Sequence, residues 1–281
     1  MTELTLPRRA ARISAPRVLT GTPPTVILSF LVILIVILWA LFPSLFTSES
    51  PVTAVPLHKL ESPSSAHWFG TDYLGRDSLT RVIYGTRSSV FNAFVAVGIG
   101  LLIGGAFGLL AGFMGGLTDS VIGRAVDTML AIPGFLLAVA IVVALGFATI
   151  NAAVATGITS IAIFARIMRA ETLRVRQAVF VESSYLQGGS RLFVLFRHVL
   201  PNARRSVLAL SVLQLGYAVI IIAALAFLGY GSPPPASDWG LLISDGSKYQ
   251  FASWLVYCPA AVVVVTVLAI NRISRWLRNV D

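Results

Sequence analysis

The chain has 281 residues, 56% of them hydrophobic and only 12% charged, with a formal net charge of +9. Its mean hydropathy is +0.84. Charged residues make up about a quarter of an ordinary soluble domain, so this composition excludes one. A single cysteine, Cys258, excludes an internal disulfide and a thiolate metal cluster, and reads as a small apolar filler.

In chain order, residues 1–24 form a basic, proline-containing tail, expected to be poorly ordered. The first apolar run spans 25–46 within a transmembrane unit drawn at 25–47. It is too long for a signal-peptide core and no small-residue cleavage pattern follows closely, so a retained helix is expected. Residues 48–66, with prolines and several Ser and Thr, read as an irregular loop. The stretch from His67 to Asp77 interleaves aromatic and charged residues. Asp77 is placed to cap a helix that continues through Tyr84. The whole segment 48–90 is expected outside the bilayer or at its interface, with ligand contact as a second reading.

The second run spans 91–114. Gly100, Gly104, Gly108, Gly112 and Gly116 recur there at every fourth residue. That spacing leaves one helix face bare for close approach of a neighbouring backbone. Tight packing alone explains it; a sliding face during conformational change is the functional alternative. The third run spans 121–147, with Asp127 near its start and Pro133-Gly134 expected to bend it. Asp127 is expected at the membrane edge, where an acid complements a helix start. Further runs span 152–167, 207–228 and 251–270. About 20 apolar residues cross a bilayer core, and uninterrupted runs exclude barrel strands. The expected fold is an all-α integral membrane protein with six transmembrane helices, a core domain at 91–270 and a tail at 271–281.

Charge is distributed by side. The N-terminal tail, Arg124, the loop at 166–205 and the C-terminal tail together carry 16 of the 21 basic residues. Positive charge stays cytoplasmic, which places both termini and that loop inside. The excess is a topology signal with some attraction to anionic lipid, and not a nucleic-acid footprint.

The loop at 166–205 holds eight Arg and two Glu. The fourth span is expected to continue as helix over 169–187, where Gly188-Gly189 ends it. Ser190 then caps a second helix. Leu192, Phe193, Leu195, Phe196 and Val199 follow at helical spacing, with Arg191 and Arg197 on the polar side and Leu200-Pro201 as the stop. Such a helix suits a groove on a partner or a lipid interface, and the residues alone do not separate the two.

Catalytic signals are lacking. The chain has no phosphate-binding G-x-x-x-x-G-K-[ST] loop and no H-E-x-x-H. No histidine and no carboxylate pair falls at mid-span, as an intramembrane enzyme would need. His58, His67 and His198 do not pair at metal-ligand spacing, so no metal cage is expected. The near absence of central charges argues against a proton-driven carrier.

Glu182, Gly188 six residues on, and Leu200-Pro201 together resemble the EAA loop of ABC-importer permeases. Ser183 and Ser184 replace the usual alanines, and His198 replaces an aliphatic residue. His67–Asp77 resembles the HxxGTDxxGRD stretch of the dipeptide/oligopeptide/nickel branch (DppC/OppC-like), and Arg81 and Tyr84–Ser89 continue the match. So do Asp127–Pro133, then Ala223–Gly231, Pro233–Pro235, Trp239-Gly240 and Ser244–Gly246, which match the end of that branch's fifth span and the external loop expected after it. The resemblance covers roughly residues 67–281.

It implies a type I (MetI-like) transmembrane domain that lines a path with a second, related permease. Two partner ATPases would carry ATP and Mg, this chain binding no cofactor or metal itself. An extracytoplasmic binding protein would deliver substrate. Glu182 would contact the ATPase or the loop's own arginines, Gly188 would supply the turn, and Ser190–Leu200 the lever. Ser183, Ser184, Gly189, Arg191, Arg197 and Pro201 complete the coupling set. The implied location is the cell membrane. The implied cargo is a di- or oligopeptide, with nickel or another small solute as the alternative. An intramembrane enzyme and a passive channel are the readings from other classes.

Overall fold

The structure, a computed structural model, describes residues 23–280, with side chains to residue 277. The tail arginines Arg8, Arg9, Arg12 and Arg17 lie outside the described residues. Helix α1 (Pro24–Leu41) opens on two prolines, whose fixed φ suits a first helical turn. Its residues Ile27, Leu28 and Leu31 are exposed, as a lipid-facing surface requires. Helix α2 (Ser78–Ile99) passes through a π-helical turn (Gly100–Gly104) into α3 (Gly105–Met114), making one rod of 37 residues. Asp77 caps it, its carboxylate accepting the Thr80 N–H at 2.7 Å. The short capped helix expected before the second span is therefore that span's own first turns.

The third run breaks in two. Helices α4 (Gly116–Ala131) and α5 (Gly134–Leu145) meet at 93° across Ile132-Pro133. The residue before a proline is pushed out of the helical region, and Ile132 is extended at φ −92°, ψ 129°. Helix α6 (Thr149–Arg176) is the central element, packed by α2, α3, α4, α5 and α9 (Leu200–Leu225). Phe164 and Met168 of α6 join Ala93, Ala96, Val207, Ile222 and Trp239 in the main core. Helix α11 (Trp254–Val280) closes the bundle against α1 and α9. Among the described residues five helices are long and apolar enough to cross a membrane, or six spans if the bent α4–α5 pair is counted as one.

Helices α3 and α6 run side by side in the same direction. A β-carbon at Gly104 would lie 2.3 Å from the Ile161 carbonyl oxygen, and one at Gly112 would lie 2.8 Å from the Thr172 β-carbon. At Gly100 it would meet Phe164 and Ser160, each at 2.8 Å. Gly116 departs from the expected stripe. It starts α4 at φ +56° with open space around it, because the rod has already ended at Gly115.

The loop expected after the fifth run holds a helix, α10 (Trp239–Ser247). Asp238 caps it, accepting the Leu241 N–H at 2.9 Å. Trp239 is fully buried, and its indole N–H donates to the Val82 carbonyl at 3.3 Å. Gly240 lies against Ala223, where a β-carbon would come within 2.2 Å of the carbonyl oxygen. At this same end Asp72 is buried beneath two guanidinium groups. It accepts from Arg76 Nε at 2.7 Å and Arg81 Nη1 at 2.9 Å, and from the N–H groups of Leu74 and Arg76.

Candidate docking site on the arginine-rich loop

Helix α6 does not continue to Gln187 as expected. It stops at Arg176, and α7 (Val179–Leu186) begins after an extended Ala178. The redirection lets Val181 bury fully into the core that holds Val175. Helix α7 then ends in a Schellman turn. The Gly189 N–H donates to the Ser184 carbonyl at 2.9 Å and the Gly188 N–H to the Tyr185 carbonyl at 3.0 Å. Gly188 holds φ +87°, and a β-carbon on Gly189 would lie 2.7 Å from the Ser184 oxygen. Each glycine is needed for its own reason, one for handedness and one for space.

Ser190 caps α8 (Arg191–Val194), its hydroxyl accepting the Phe193 N–H at 3.3 Å. A π-helical turn (Leu195–Val199) then leads directly into α9. Leu200-Pro201 therefore does not stop the helix, which runs on from Arg191 until Gly229 breaks it at φ +90°. The wider π turn moves aside the carbonyl that a proline ring would strike. The Asn202 amide donates to the His198 carbonyl at 2.6 Å, satisfying backbone near the break.

Two sets of arginines emerge. Arg169 grips Asp119 with both Nε and Nη2, the latter at 2.7 Å, and Arg166 meets Asp127 at 2.6 Å. Arg174 pairs with Glu171 at 2.6 Å, and Arg176 reaches the Phe113 carbonyl at 3.1 Å. These four hold α6 to α3, α4 and itself. Asp127 lies on the exposed side of α4, 70% accessible, in a surface pair and not a buried relay. Among the described residues Arg191, Arg197, Arg204 and Arg205 make no side-chain hydrogen bond or ion pair. All four are exposed. The expected site included Arg191 and Arg197 but missed Arg204 and Arg205, because it ended the helix at Pro201. Once the helix continues, 197 and 204 fall seven residues apart on one face.

Apolar side chains interleave with the free arginines. Val179, Leu186, Leu192, Phe193 and Phe196 are each at least half exposed. Val194, Leu195 and Val199 turn inward. His198 sits between Phe193 and Phe180, with ring centroids at 5.7 and 6.2 Å. It packs where an aliphatic residue was expected. Glu182 and Ser183 lie on α7, and Ser183 donates back to the Val179 carbonyl at 2.9 Å. Glu182 is exposed and, among the described residues, pairs with none of the loop's arginines.

A second cluster lies at the opposite end. His58 and His67, which do not pair at metal-ligand spacing in the sequence, have ring centroids 5.8 Å apart, with Glu61 beside them. The chain doubles back there, which sequence spacing does not reveal.

A family model described as "binding-protein-dependent transport system inner membrane component" matches residues 104–279. The chain is 39% identical over 254 residues to the dipeptide transport system permease protein DppC of Alkalihalophilus pseudofirmus, covering 90% of this chain and 84% of that one. It is 39% identical over 220 residues to the glutathione transport system permease protein GsiD of Pectobacterium atrosepticum, covering 78% and 73%. Among solved structures, a chain of the MetNI methionine ABC transporter in an inward-facing conformation superposes with a TM-score of 0.60. That match covers 72% of this chain and 96% of the other at 18% identity, so it speaks to fold alone.

Proposed function

Because the chain belongs to the family of binding-protein-dependent transport system inner membrane components, we propose that it is the permease subunit of an ABC importer of short peptides. The relatives named for dipeptide and glutathione transport support a cargo of two or three residues. A second related permease would complete the path, and an extracytoplasmic binding protein would deliver the peptide. ATP and Mg would sit on two partner ATPases. The arginine-rich end would face the cytoplasm, since it carries most of the positive charge.

One observation carries the assignment of the docking site. Unpaired arginines and exposed apolar side chains share the helical surface after the Gly188-Gly189 turn, backed by Val194, Leu195 and Val199 in the core. That combination suits a partner groove: apolar anchors supply affinity, and free cations supply orientation. The helix is continuous with α9, so a push on Arg191–Val199 is transmitted to a membrane span without an intervening flexible joint. Closure of the ATPases would then favour one arrangement of the spans over another. Glu182, with no partner of its own here, would pair with a cation of the ATPase, and Ser183 and Ser184 would lie beside that contact.

The test is ATPase activity of the complex reconstituted in liposomes with its binding protein, comparing the parent with Glu182→Lys. Stimulation by a dipeptide-loaded binding protein, lost in the variant, is the expected outcome. Equal stimulation in parent and variant would remove Glu182 from the coupling site. Stimulation by a nickel-loaded binding protein alone would replace the cargo.

A further inference from the structure

His58, Glu61 and His67 each offer one ligand atom, and the three atoms lie within 4.8 Å of one another. The meeting is built by the backbone. The Thr71 hydroxyl donates to the His58 carbonyl and accepts the Glu61 N–H at 2.8 Å. The Thr71 N–H donates to the Glu61 carbonyl at 3.0 Å, and the Leu60 N–H to the Asp72 carbonyl at 3.1 Å. Thr71 is fully buried. Residues 58–61 are thus clamped onto residues 71–72 by main-chain bonds and the Thr71 hydroxyl, independent of the side chains of the cluster.

One imidazole is also held. His67 is largely buried, its side chain 14% exposed, and its Nδ1 lies 3.0 Å from Asp77 Oδ1. The other Asp77 oxygen is held by the Thr80 N–H at the start of α2. A carboxylate that grips one imidazole nitrogen sets the tautomer and leaves the other nitrogen, Nε2, as a ligand. His58 and Glu61 are about half exposed and free to swing. Ligand atoms around tetrahedral zinc sit about 3.3 Å apart, so modest side-chain rotations close the set. Glu49 groups with His67 and Asp77 within the same 4.8 Å limit, which puts a further carboxylate at hand.

We propose that His58, Glu61 and His67 form a site for a borderline divalent transition metal, with zinc the best-fitting ion and Asp77 positioning His67. Two imidazoles and a carboxylate suit zinc, whereas calcium and magnesium take oxygen ligands. A bound ion would cross-link the two sides of the loop that leads into α2, at the end away from the arginine-rich loop at 166–205. The assignment is independent of the transported cargo.

The experiment uses the purified full-length chain in detergent, carrying a histidine-free tag, stripped with chelator and titrated with zinc against a chromophoric chelator. One equivalent is expected to bind. Affinity is expected to fall at least about tenfold in His58→Gln and in Glu61→Gln, whose exposed side chains leave the fold intact. His198→Gln, at the other end, is expected to leave zinc affinity unchanged. With copper(II) as a spectroscopic probe, the parent is expected to show two nitrogen ligands and His58→Gln one. Zinc affinity equal in the parent and the His58→Gln/Glu61→Gln double variant would overturn the proposal, leaving two separate hydrogen bonds, His58–Glu61 and His67–Asp77. Loss of binding in His198→Gln would overturn it as well.

Discussion

Gly108 of α3 lies against Ala165 of α6 so closely that a β-carbon there would come within 2.3 Å of the Ala165 carbonyl oxygen. Backbone, unlike a flexible side chain, cannot step aside. Gly108→Ala is therefore expected to force the helices apart and destabilise by about 1–3 kcal/mol. Gly105→Ala, whose nearest neighbour would be the Met168 methyl at 3.8 Å, is expected to be neutral. Thermal unfolding in detergent distinguishes them; equal melting of both variants would dismiss the close-approach argument.

The Schellman turn separates handedness from space. Gly188 has open surroundings, so Gly188→Ala carries only the penalty of a left-handed residue, about 1–2 kcal/mol. Asn is expected to be milder there. Gly189→Ala collides with Ser184 and is expected to break the turn. Both variants should fold while losing ATPase stimulation, Gly189→Ala more completely.

The two arginine sets predict opposite outcomes. Reversing Arg204 and Arg205 to Glu is expected to change stability by less than about 0.5 kcal/mol and to weaken ATPase binding about tenfold or more. Asp119→Asn weakens the grip on Arg169, a partly exposed pair, and is expected to destabilise by no more than about 1 kcal/mol without altering the proposed docking surface. Co-purification of the ATPase subunits, set beside melting curves, checks both.

Asp72 is the opposite case, buried beneath Arg76 and Arg81, whose side chains are each 2% exposed. Asp72→Ala leaves two buried guanidinium groups without their anion, a loss of about 3–5 kcal/mol. The variant is expected to aggregate on size-exclusion chromatography; a monodisperse peak at the parent's yield would contradict this.

Burial pushes the Asp238 carboxyl above its ordinary range, against the Leu241 N–H and the Thr149 hydroxyl, which favour the charged form. A group with a raised folded pKa binds its proton more tightly when folded. Its contribution to stability is present at low pH and is lost as pH rises through the folded value. Asp238→Asn removes the charge but keeps an acceptor for the Leu241 N–H. The parent is therefore expected to melt at the variant's temperature at acid pH, where the carboxyl is protonated, and to fall below it as pH rises above the ordinary carboxylate range. A difference that does not vary with pH would contradict the burial argument.

Much of this was legible in the chain. Long apolar runs, the basic asymmetry and the Gly188-Gly189 turn each depend on local composition or spacing, which the fold does not alter. What was misread turns on neighbours. Pro201 reads as a stop, but the preceding π turn absorbs it and the helix runs on through α9 until Gly229 breaks it. Trp239–Ser247 reads as loop because only nine residues form the helix; its stability comes from the Trp239 pocket and the close approach of Gly240 to Ala223.

By itself, the sequence determined that the protein is helical and membrane-spanning, because a bilayer rewards apolar length and demands internal backbone hydrogen bonding. Tertiary structure alone decided which arginines are free. Asp119 stands 50 residues from Arg169 in the chain, and Asp127 39 from Arg166. It also decided that His58, Glu61 and His67 meet. Side-chain chemistry is written in the chain, but which side chains satisfy one another depends on packing between distant segments, and no local spacing carries that information.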